Sequence, residues 1–238
     1  MTRDFALWVF LAHSPLLWLT VTLVAYSVAD RISLATDRNP LANPVLHAIW
    51  MIGLVLLATG TPYAVYFEGA QFVHFLLGPA TVALAIPLYE YRATVLRVLV
   101  PMLAALAVGS TVAVATAIVV ATLLGVPREV LVALAPKSVT ASVAMGITGA
   151  LGGDPTLTAV LVILTGIIGA ILVTPLFDRI GLTDWRARGF AAGLAAHGIG
   201  TARAFQVSEV AGTFAGIAMG LNALLTAVLV PVALTLLR

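Results

Sequence analysis

The sequence contains no cysteine, and only 9% of its 238 residues are charged. The absence of cysteine excludes disulfides, thiolate catalysis and cysteine-ligated metal centres. Roughly a quarter of the residues in a soluble domain are charged, so the scarcity of charge argues against a surface covered by water. The formal net charge of +2 is too small to indicate a nucleic-acid partner.

Apolar residues take the place of the missing charges. They make up 61% of the chain, and the mean hydropathy is +1.11. Each membrane-spanning helix needs about 20 apolar residues. The sequence therefore predicts an all-α, polytopic protein of the lipid bilayer, with about six to eight hydrophobic segments in a single membrane domain over residues 1–238. We interpret the apolar N-terminal run as a retained helix and not as a signal peptide, because no small-residue cleavage site follows it.

Short polar connections separate the apolar runs. We expect residues 61–71 to be such a connection, since they contain no lysine or arginine. The first apolar run should be kinked at Pro15. The predicted runs are 5–29, 44–60, 72–89, about 92–124, 129–152, 155–177, 189–205 and about 209–237.

The distribution of arginine predicts that two of these runs are re-entrant. The connection 178–188 is the most basic, and it would lie outside if 129–152 crossed the membrane completely. Lysine and arginine tend to stay on the cytoplasmic side, so we expect 129–152 to enter and return. Residues 186–205 should do the same from the opposite face. The units 129–177 and 186–237 would then form an inverted repeat beside scaffold-like spans in 5–128, an arrangement typical of transporters.

The stretch PKSVTAS at 136–142 is the first polar constellation. Pro136 should interrupt a helix, and Ser138, Thr140 and Ser142 would share one face if the backbone were extended. Lys137 would cost about 2.5–3.5 kcal/mol at a bilayer centre, which favours a functional role. Followed by the N-terminus of a half-helix, these groups predict a site for a small carboxylate. The alternative is that Lys137 snorkels to the interface and the hydroxyls bond their own helix.

The stretch HGIGTARA at 197–204 is the second. Gly198 and Gly200 weaken a helix and allow a tight unwound turn. His197 suits proton coupling, Thr201 can donate to an oxyanion, and Arg203 can bind a carboxylate with two donors. The alternatives are a packed histidine and an interfacial arginine.

A third constellation lies in 78–90, where we expect a helix to break at Pro79 and to end or kink at Pro87. Thr81 is a candidate lining residue for the substrate cavity, although a hydroxyl bonded to its own helix is the commoner outcome. Asn43 precedes Pro44 as a helix cap would, and a substrate role is its less favoured interpretation. The sequence has no HExxH, GxSxG or Walker motif, so we expect neither an enzyme nor a cofactor.

Several of these strings together resemble the LrgB/CidB family of bacterial membrane proteins. They are GPATVALAIPLY at 78–89, PKSVT at 136–140, the glycine pair at 152–153 and HGIGTARA at 197–204. The resemblance covers nearly the whole chain in the expected order. The plant plastidial glycolate/glycerate transporter carries a similar domain.

The resemblance implies a multi-pass protein of the bacterial inner membrane with an LrgA/CidA-type holin-like partner. It also implies two alternative functions: transport of small carboxylates such as glycolate, glycerate or pyruvate, or antiholin-like control of murein hydrolase activity and lysis. The oligomeric state stays open, a homo-oligomer included. The chain departs from the family at Ala141–Ala144, where Thr-Pro-Ile-Ala is common. The lost proline removes one helix-breaking element.

Overall fold

The fold is taken from a computed structural model that describes residues 14–83 and 85–236. Within these ranges the chain is helical and has no β-strand. Five described segments are long and apolar enough to cross a membrane, judged by length and composition: Pro15–Ala35, Tyr63–Glu90, Leu99–Leu123, Pro155–Arg179 and Glu209–Thr235. Shorter apolar helices accompany them. The predicted all-α, polytopic membrane fold is confirmed.

The helices are numbered here in chain order. They are α1 Pro15–Ala35, α2 Pro44–Thr59, α3 Tyr63–Phe75, α4 Leu77–Ala83, α5 Ala85–Glu90, α6 Arg92–Arg97, α7 Leu99–Leu123, α8 Arg128–Leu134, α9 Ala141–Ala150, α10 Pro155–Arg179, α11 Trp185–Val207 and α12 Glu209–Thr235, with a short 3₁₀ turn at Pro40–Ala42. The chain forms two compact units, Met1–Ala85 and Ile86–Arg238. Each is described by itself, and the single membrane domain over the whole chain stays a prediction.

The first unit is built from helices that pack on one aromatic residue. Trp18 of α1 is completely buried and meets Tyr66 of α3 edge to face, with ring centroids 6.0 Å apart. Thr22 donates a hydrogen bond to the Tyr66 hydroxyl. A methyl group on Gly69 would overlap the backbone of α1, so this glycine sets how closely α1 and α3 approach.

One expectation for the first unit is wrong and another is not tested. α1 begins at Pro15, at the first turn, where the missing N–H has no helical partner, and the kink expected at Pro15 stays a prediction because it depends on the residues before Ser14. Residues 61–71 are not a connection, because most of them belong to α3. The aromatic residues of α3 pack on α1, and this tertiary contact stabilises a helix where charge alone had suggested a loop. Residues 1–13, part of the predicted run 5–29, lie outside the described residues.

The third constellation is helical on both sides of Pro79. The helical path is interrupted at Leu76, three residues before Pro79, and Pro79 lies in the first turn of α4. Its nitrogen there occupies a position whose N–H would have no intrahelical acceptor. Pro87 lies within α5, and because residue 84 is outside the described residues, the end or kink expected at Pro87 stays a prediction. The predicted run 92–124 is divided into α6 and α7.

The second unit contains three long helices, α7, α10 and α12, and two broken segments between them. The first broken segment is α8, the turns at 135–140 and α9. A methyl group on Gly153, just beyond α9, would overlap the side chains of Val132 and Thr148. Ile147 of α9 shares an apolar cluster with Leu131 of α8. The two arms therefore lie side by side, and residues 128–150 form a helical hairpin, called hairpin 1.

The second broken segment is α11, which also folds back. Its backbone leaves helical geometry at Ala196 and His197. Gly200 lies against the carbonyl oxygen of Ala192, which its Cβ would approach to 2.6 Å. In a straight helix these residues would be about 12 Å apart. Residues 185–207 therefore form hairpin 2, with its tip at Ala196 and His197.

Small residues hold hairpin 2 against α12. A methyl group on Gly189 would overlap the carbonyl oxygen of Ala211, and one on Gly193 would overlap that of Ala215. Each pair is one helical turn from the other, so the two backbones touch along a stripe of small residues. Close packing of this kind is how helices associate where no water drives them together.

The two hairpins approach the long helices from opposite ends. Hairpin 1 ends beside the start of α10, and hairpin 2 begins just after α10 ends. α10 has 25 residues, a length of about 38 Å at 1.5 Å per residue. Both tips reach its interior: Val139 of hairpin 1 packs on Val162, and His197 of hairpin 2 bonds the Val162 carbonyl.

Candidate functional site

A buried asparagine joins the two hairpin tips. Asn222 lies at the middle of α12 and has no solvent exposure. Its amide nitrogen donates to the Leu194 carbonyl of hairpin 2 at 2.9 Å and to the Ser138 carbonyl of hairpin 1 at 3.4 Å. Its oxygen accepts bonds from the hydroxyls of Ser110, at 2.7 Å, and Thr226, at 3.1 Å. One side chain thus contacts α7, its own helix and both tips.

The chemistry of its neighbours fixes the orientation of this amide. Two backbone carbonyls, which can only accept, face the nitrogen. Two hydroxyls, which can donate, face the oxygen. A flipped amide would put its oxygen against two carbonyl oxygens. All the hydrogen-bonding groups of Asn222 are therefore used, as a buried polar group requires.

His197 closes the tip of hairpin 2. Its Nε2 lies 2.9 Å from the Val162 carbonyl oxygen, and since a carbonyl only accepts, Nε2 carries the hydrogen. A methyl group on Gly166 would lie 2.6 Å from the imidazole, so glycine at this point of α10 leaves room for the ring. Thr201 donates to the His197 carbonyl at 2.8 Å. That bond is internal to its helix.

The reversal lies at different residues from those predicted. The turn was expected at Gly198 and Gly200, but it occurs at Ala196 and His197, and both glycines are helical. His197 has φ 41° and ψ −134°, a conformation that side chains with a Cβ rarely adopt. Gly200 is needed instead for the contact between the two arms. Such backbone strain persists only where the surroundings enforce it.

The tip of hairpin 1 carries the positively charged side chain of Lys137. α8 ends at Leu134, before Pro136, as predicted. Lys137 is half-buried, and it has no carboxylate partner within the described part of the chain. Thr140 is the N-cap of α9, but its side chain makes no capping hydrogen bond. The first N–H groups of α9 therefore follow a lysine that forms no ion pair with an acid of the described residues.

The expected alignment of three hydroxyls is not found. Residues 135–138 form turns, Thr140 is extended, and Ser142 is already in the first turn of α9. Ser138 is buried, whereas Ser142 is exposed. Because few residues of this stretch are extended, its backbone does not place Ser138, Thr140 and Ser142 on one face.

Arg203 lies away from the tips. It is buried and lines a small cavity with Thr174, Trp185 and Arg188 at the open end of hairpin 2. It follows the tip by more than one helical turn, about 9 Å along the second arm. Arg203 therefore lies towards the open end of hairpin 2, whereas Ser138 contacts Asn222 of α12 and His197 contacts Val162 of α10.

The neighbouring Arg188 is held by several groups. It donates to Asp178 at 2.5 Å and to the Thr174 carbonyl at 3.1 Å, and its guanidinium lies 4.7 Å from the Trp185 ring centroid. We expect Arg188→Ala to lower the free energy of unfolding by about 1–2 kcal/mol, because the cation–π contact and the partly buried pair are lost together. The thermal midpoint in detergent measures this change.

Arg186→Ala is the matched control, since it breaks the exposed pair with Asp184 and should lower the thermal midpoint much less than Arg188→Ala does. The hydrogen bond from Arg186 lowers the pKa of Asp184 below its usual 3.8. The small stabilisation from this pair is therefore present at neutral pH and is lost as the pH falls through the lowered pKa. Equal midpoint losses in the two variants would contradict the role given to Arg188.

Two candidates lie in the first unit. The Asn43 side chain accepts from the N–H groups of Val45 and Leu46 at 2.9 and 3.2 Å, so the capping interpretation is confirmed. Thr81 is in α4, and its side chain is outside the described residues.

The residue that organises the site was missed by sequence reasoning. Asn222 is a single amide within an apolar helix of 27 residues, and a polar residue inside a membrane span is by itself a functional signal. The sequence therefore provided a reason to single out Asn222. It did not show which residues Asn222 contacts, because Ser110, Ser138 and Leu194 are far from it in sequence.

Comparison with known proteins decides the family. The family model for the LrgB-like family matches residues 22–236. The chain belongs to the LrgB-like family. This confirms the resemblance drawn from the four sequence strings. No solved structure matches the chain.

Relatives of this LrgB-like chain are similar over almost their whole length. The Holin-like protein CidB of Staphylococcus epidermidis is 33% identical over 220 residues, which cover 92% of this chain and 96% of the relative. The Holin-like protein CidB of Staphylococcus aureus is 33% identical over 221 residues, covering 93% and 96%. YwbG of Bacillus subtilis, described as uncharacterized, is 34% identical over 208 residues, covering 87% and 92%.

Proposed function

We propose that this LrgB-like protein is a secondary transporter of small monocarboxylates of the glycolate, glycerate and pyruvate class. The observation that carries the proposal is the meeting of two hairpin tips at Asn222, with Lys137 at one of them and no carboxylate of residues 14–83 or 85–236 paired with it. Hairpins that end inside a membrane protein leave backbone groups available to a ligand, and such interrupted helices are a common feature of carriers.

The charges at the tips favour an anion. α9 begins at the tip of hairpin 1, and the second arm of hairpin 2 begins at the tip of hairpin 2. Each helix N-terminus carries unsatisfied N–H groups and a positive partial charge. Lys137 adds a full positive charge. We propose that Lys137, Thr140 and the first N–H groups of α9 hold the carboxylate, with Ser142 beside them.

Proton coupling is part of the proposal, with His197 as the group that takes the proton. Its Nε2 hydrogen is used on the Val162 carbonyl, so Nδ1 is the ring atom that would be protonated. Protonation there would add a second positive charge to the tips while the anion is bound. An inward proton gradient should therefore drive anion uptake.

The second candidate function is regulatory, and the naming of the relatives favours it. Two of them are called holin-like. In this alternative the protein acts as an antiholin-like regulator of murein hydrolase activity in the bacterial inner membrane. It would bind an LrgA/CidA-type membrane partner and would carry no solute.

Uptake of labelled glycolate by liposomes that contain only this protein distinguishes the two candidates. We expect saturable uptake that rises when the outside is made acidic and that unlabelled pyruvate inhibits. Protein-free liposomes and liposomes without a pH gradient are the controls.

Tight proteoliposomes that show no flux above the protein-free level would contradict the carrier proposal. The regulatory alternative would then be supported by a stable complex between the purified protein and its LrgA/CidA-type partner. Flux in the absence of that partner would show that transport does not depend on it.

A further inference from the structure

We propose that Asn222 is a positioning residue that ties the two tips together, and that hairpin 1 is the gate that releases from it. The inference rests on the proposed function only in taking the space beside the tips as the substrate site. Its structural part concerns which of the two hairpins moves.

The two bonds from the Asn222 amide are unequal. The bond to Leu194 of hairpin 2 is 2.9 Å long, whereas the bond to Ser138 of hairpin 1 is 3.4 Å. An N–H···O bond is usually 2.7–3.2 Å long. The longer bond is therefore weak, and the amide holds hairpin 2 more firmly than hairpin 1.

Hairpin 2 has further anchors at its tip and along its first arm. His197 bonds the Val162 carbonyl at 2.9 Å. Gly189 and Gly193 place the backbone directly against carbonyl groups of α12, with no room for a methyl group. Moving this hairpin would break the histidine bond and separate two closely packed backbones. These contacts make hairpin 2 part of the fixed frame.

The apolar residues of hairpin 1 are packed, but its polar anchors lie near its open end. Thr148, close to the end of α9, accepts a hydrogen bond from Thr158 of α10 at 2.9 Å. Towards the tip, Thr140 makes no capping bond. A methyl group on Gly146 would have no atom of the described chain within 4 Å. Hairpin 1 can therefore pivot about its open end, and release of its tip would break one long hydrogen bond and separate Val139 from Val162.

An asparagine suits this position because its amide offers one N–H to each tip while hydroxyls hold its oxygen. Replacing it with leucine would remove both N–H donors and with them the bonds to the Leu194 and Ser138 carbonyls. Hairpin 2 would still keep its histidine bond and glycine contacts. Hairpin 1 would lose its tip bond, so Asn222→Leu should release hairpin 1 selectively.

The absence of cysteine allows this to be measured in the natural background. Two spin-labelled pairs share an exposed reference on α10, Leu164→Cys: one adds Ser142→Cys in hairpin 1, and the other adds Ala195→Cys in hairpin 2. Pulsed electron spin resonance in phosphatidylethanolamine and phosphatidylglycerol nanodiscs reports the distances. We expect two distances for the hairpin 1 pair and one for the hairpin 2 pair.

Asn222→Leu should shift the hairpin 1 pair to its released distance and leave the hairpin 2 pair unchanged. Thr226→Val is the matched control, because it removes a donor to the Asn222 oxygen and keeps both bonds to the tips. If Asn222→Leu does not fold, Asn222→Asp, which has the same shape but no amide N–H groups, takes its place. Two distances for hairpin 2, a single distance for both pairs, or an unchanged hairpin 1 in the variant would overturn the inference.

A transport measurement separates positioning from simple stability. Asn222→Asp should lower the maximal rate of glycolate uptake about tenfold with little change in KM, because tip release and return are altered and the carboxylate ligands are not. An equal loss in Thr226→Val would contradict this role. The two measurements can give different answers. If neither the wild-type protein nor any variant transports glycolate, the proposed function fails. The gate assignment still stands if the hairpin 1 pair shows two distances and the hairpin 2 pair shows one.

Discussion

Lys137→Ala is expected to reduce glycolate uptake about 10- to 100-fold. The lysine is half-buried at the tip of hairpin 1 and has no acidic partner among the described residues. A charge-assisted hydrogen bond to a carboxylate contributes about 1.5–3 kcal/mol, and each 1.36 kcal/mol changes a rate or affinity about tenfold. Initial uptake rates in proteoliposomes over a range of glycolate concentrations measure the loss.

Arg128→Ala is the control for this variant. It also removes one positive charge from hairpin 1, but Arg128 is exposed at the start of α8, away from the tip. Its long-range effect is screened by salt, so uptake should stay within roughly twofold of wild type. If both variants transport as well as wild type, Lys137 is not a carboxylate ligand. The assignment of the substrate site to the tip of hairpin 1 is then wrong.

Gly193→Ala is expected to cause a large loss of stability in the second unit. The added methyl group would overlap the Ala215 carbonyl oxygen of α12. The helices cannot separate locally, because Gly189 makes the same backbone contact one turn away. Overpacking at such a position costs about 3 kcal/mol, which corresponds to a thermal midpoint lower by roughly 10 °C. Fluorescence-detected thermal unfolding in detergent measures it.

Gly220→Ala provides a matched glycine on α12. No described atom lies within 4 Å of the position that its methyl group would take. Replacing glycine with alanine inside a helix is favourable by about 1 kcal/mol, so the midpoint should stay the same or rise. If the Gly193→Ala protein had the same thermal midpoint as the Gly220→Ala protein, hairpin 2 and α12 would not be packed backbone to backbone.

The fold class and both interruptions were accessible from the sequence. Hydropathy required membrane helices, and Pro136 marked the end of α8 because proline cannot continue a helix. The arginines at 178–188 suggested that 129–152 turns back, since a complete crossing would have put them outside. Each of these signals acts locally or through the membrane itself, so no knowledge of tertiary contacts was needed.

The site geometry was less accessible because it depends on contacts between distant residues. The reversal at His197 requires a glycine at position 166 to admit the ring, and the local glycines of HGIGTARA gave no sign of this. α3 was missed for the same reason, since its helical state depends on Trp18 of α1. The role of Asn222 follows from carbonyls in two hairpins, and only the folded chain brings these together.

The shortness of the hairpin arms has a consequence for biosynthesis. α8 has 7 residues and α9 has 10, and neither approaches the about 20 that a bilayer-spanning helix requires. Lipid alone cannot shelter the unpaired amides of such an arm. Hairpin 1 can therefore insert only after α10 and α12 have created a protein-lined space for it. Completion of the proposed carboxylate site would then coincide with the last stage of folding in the membrane.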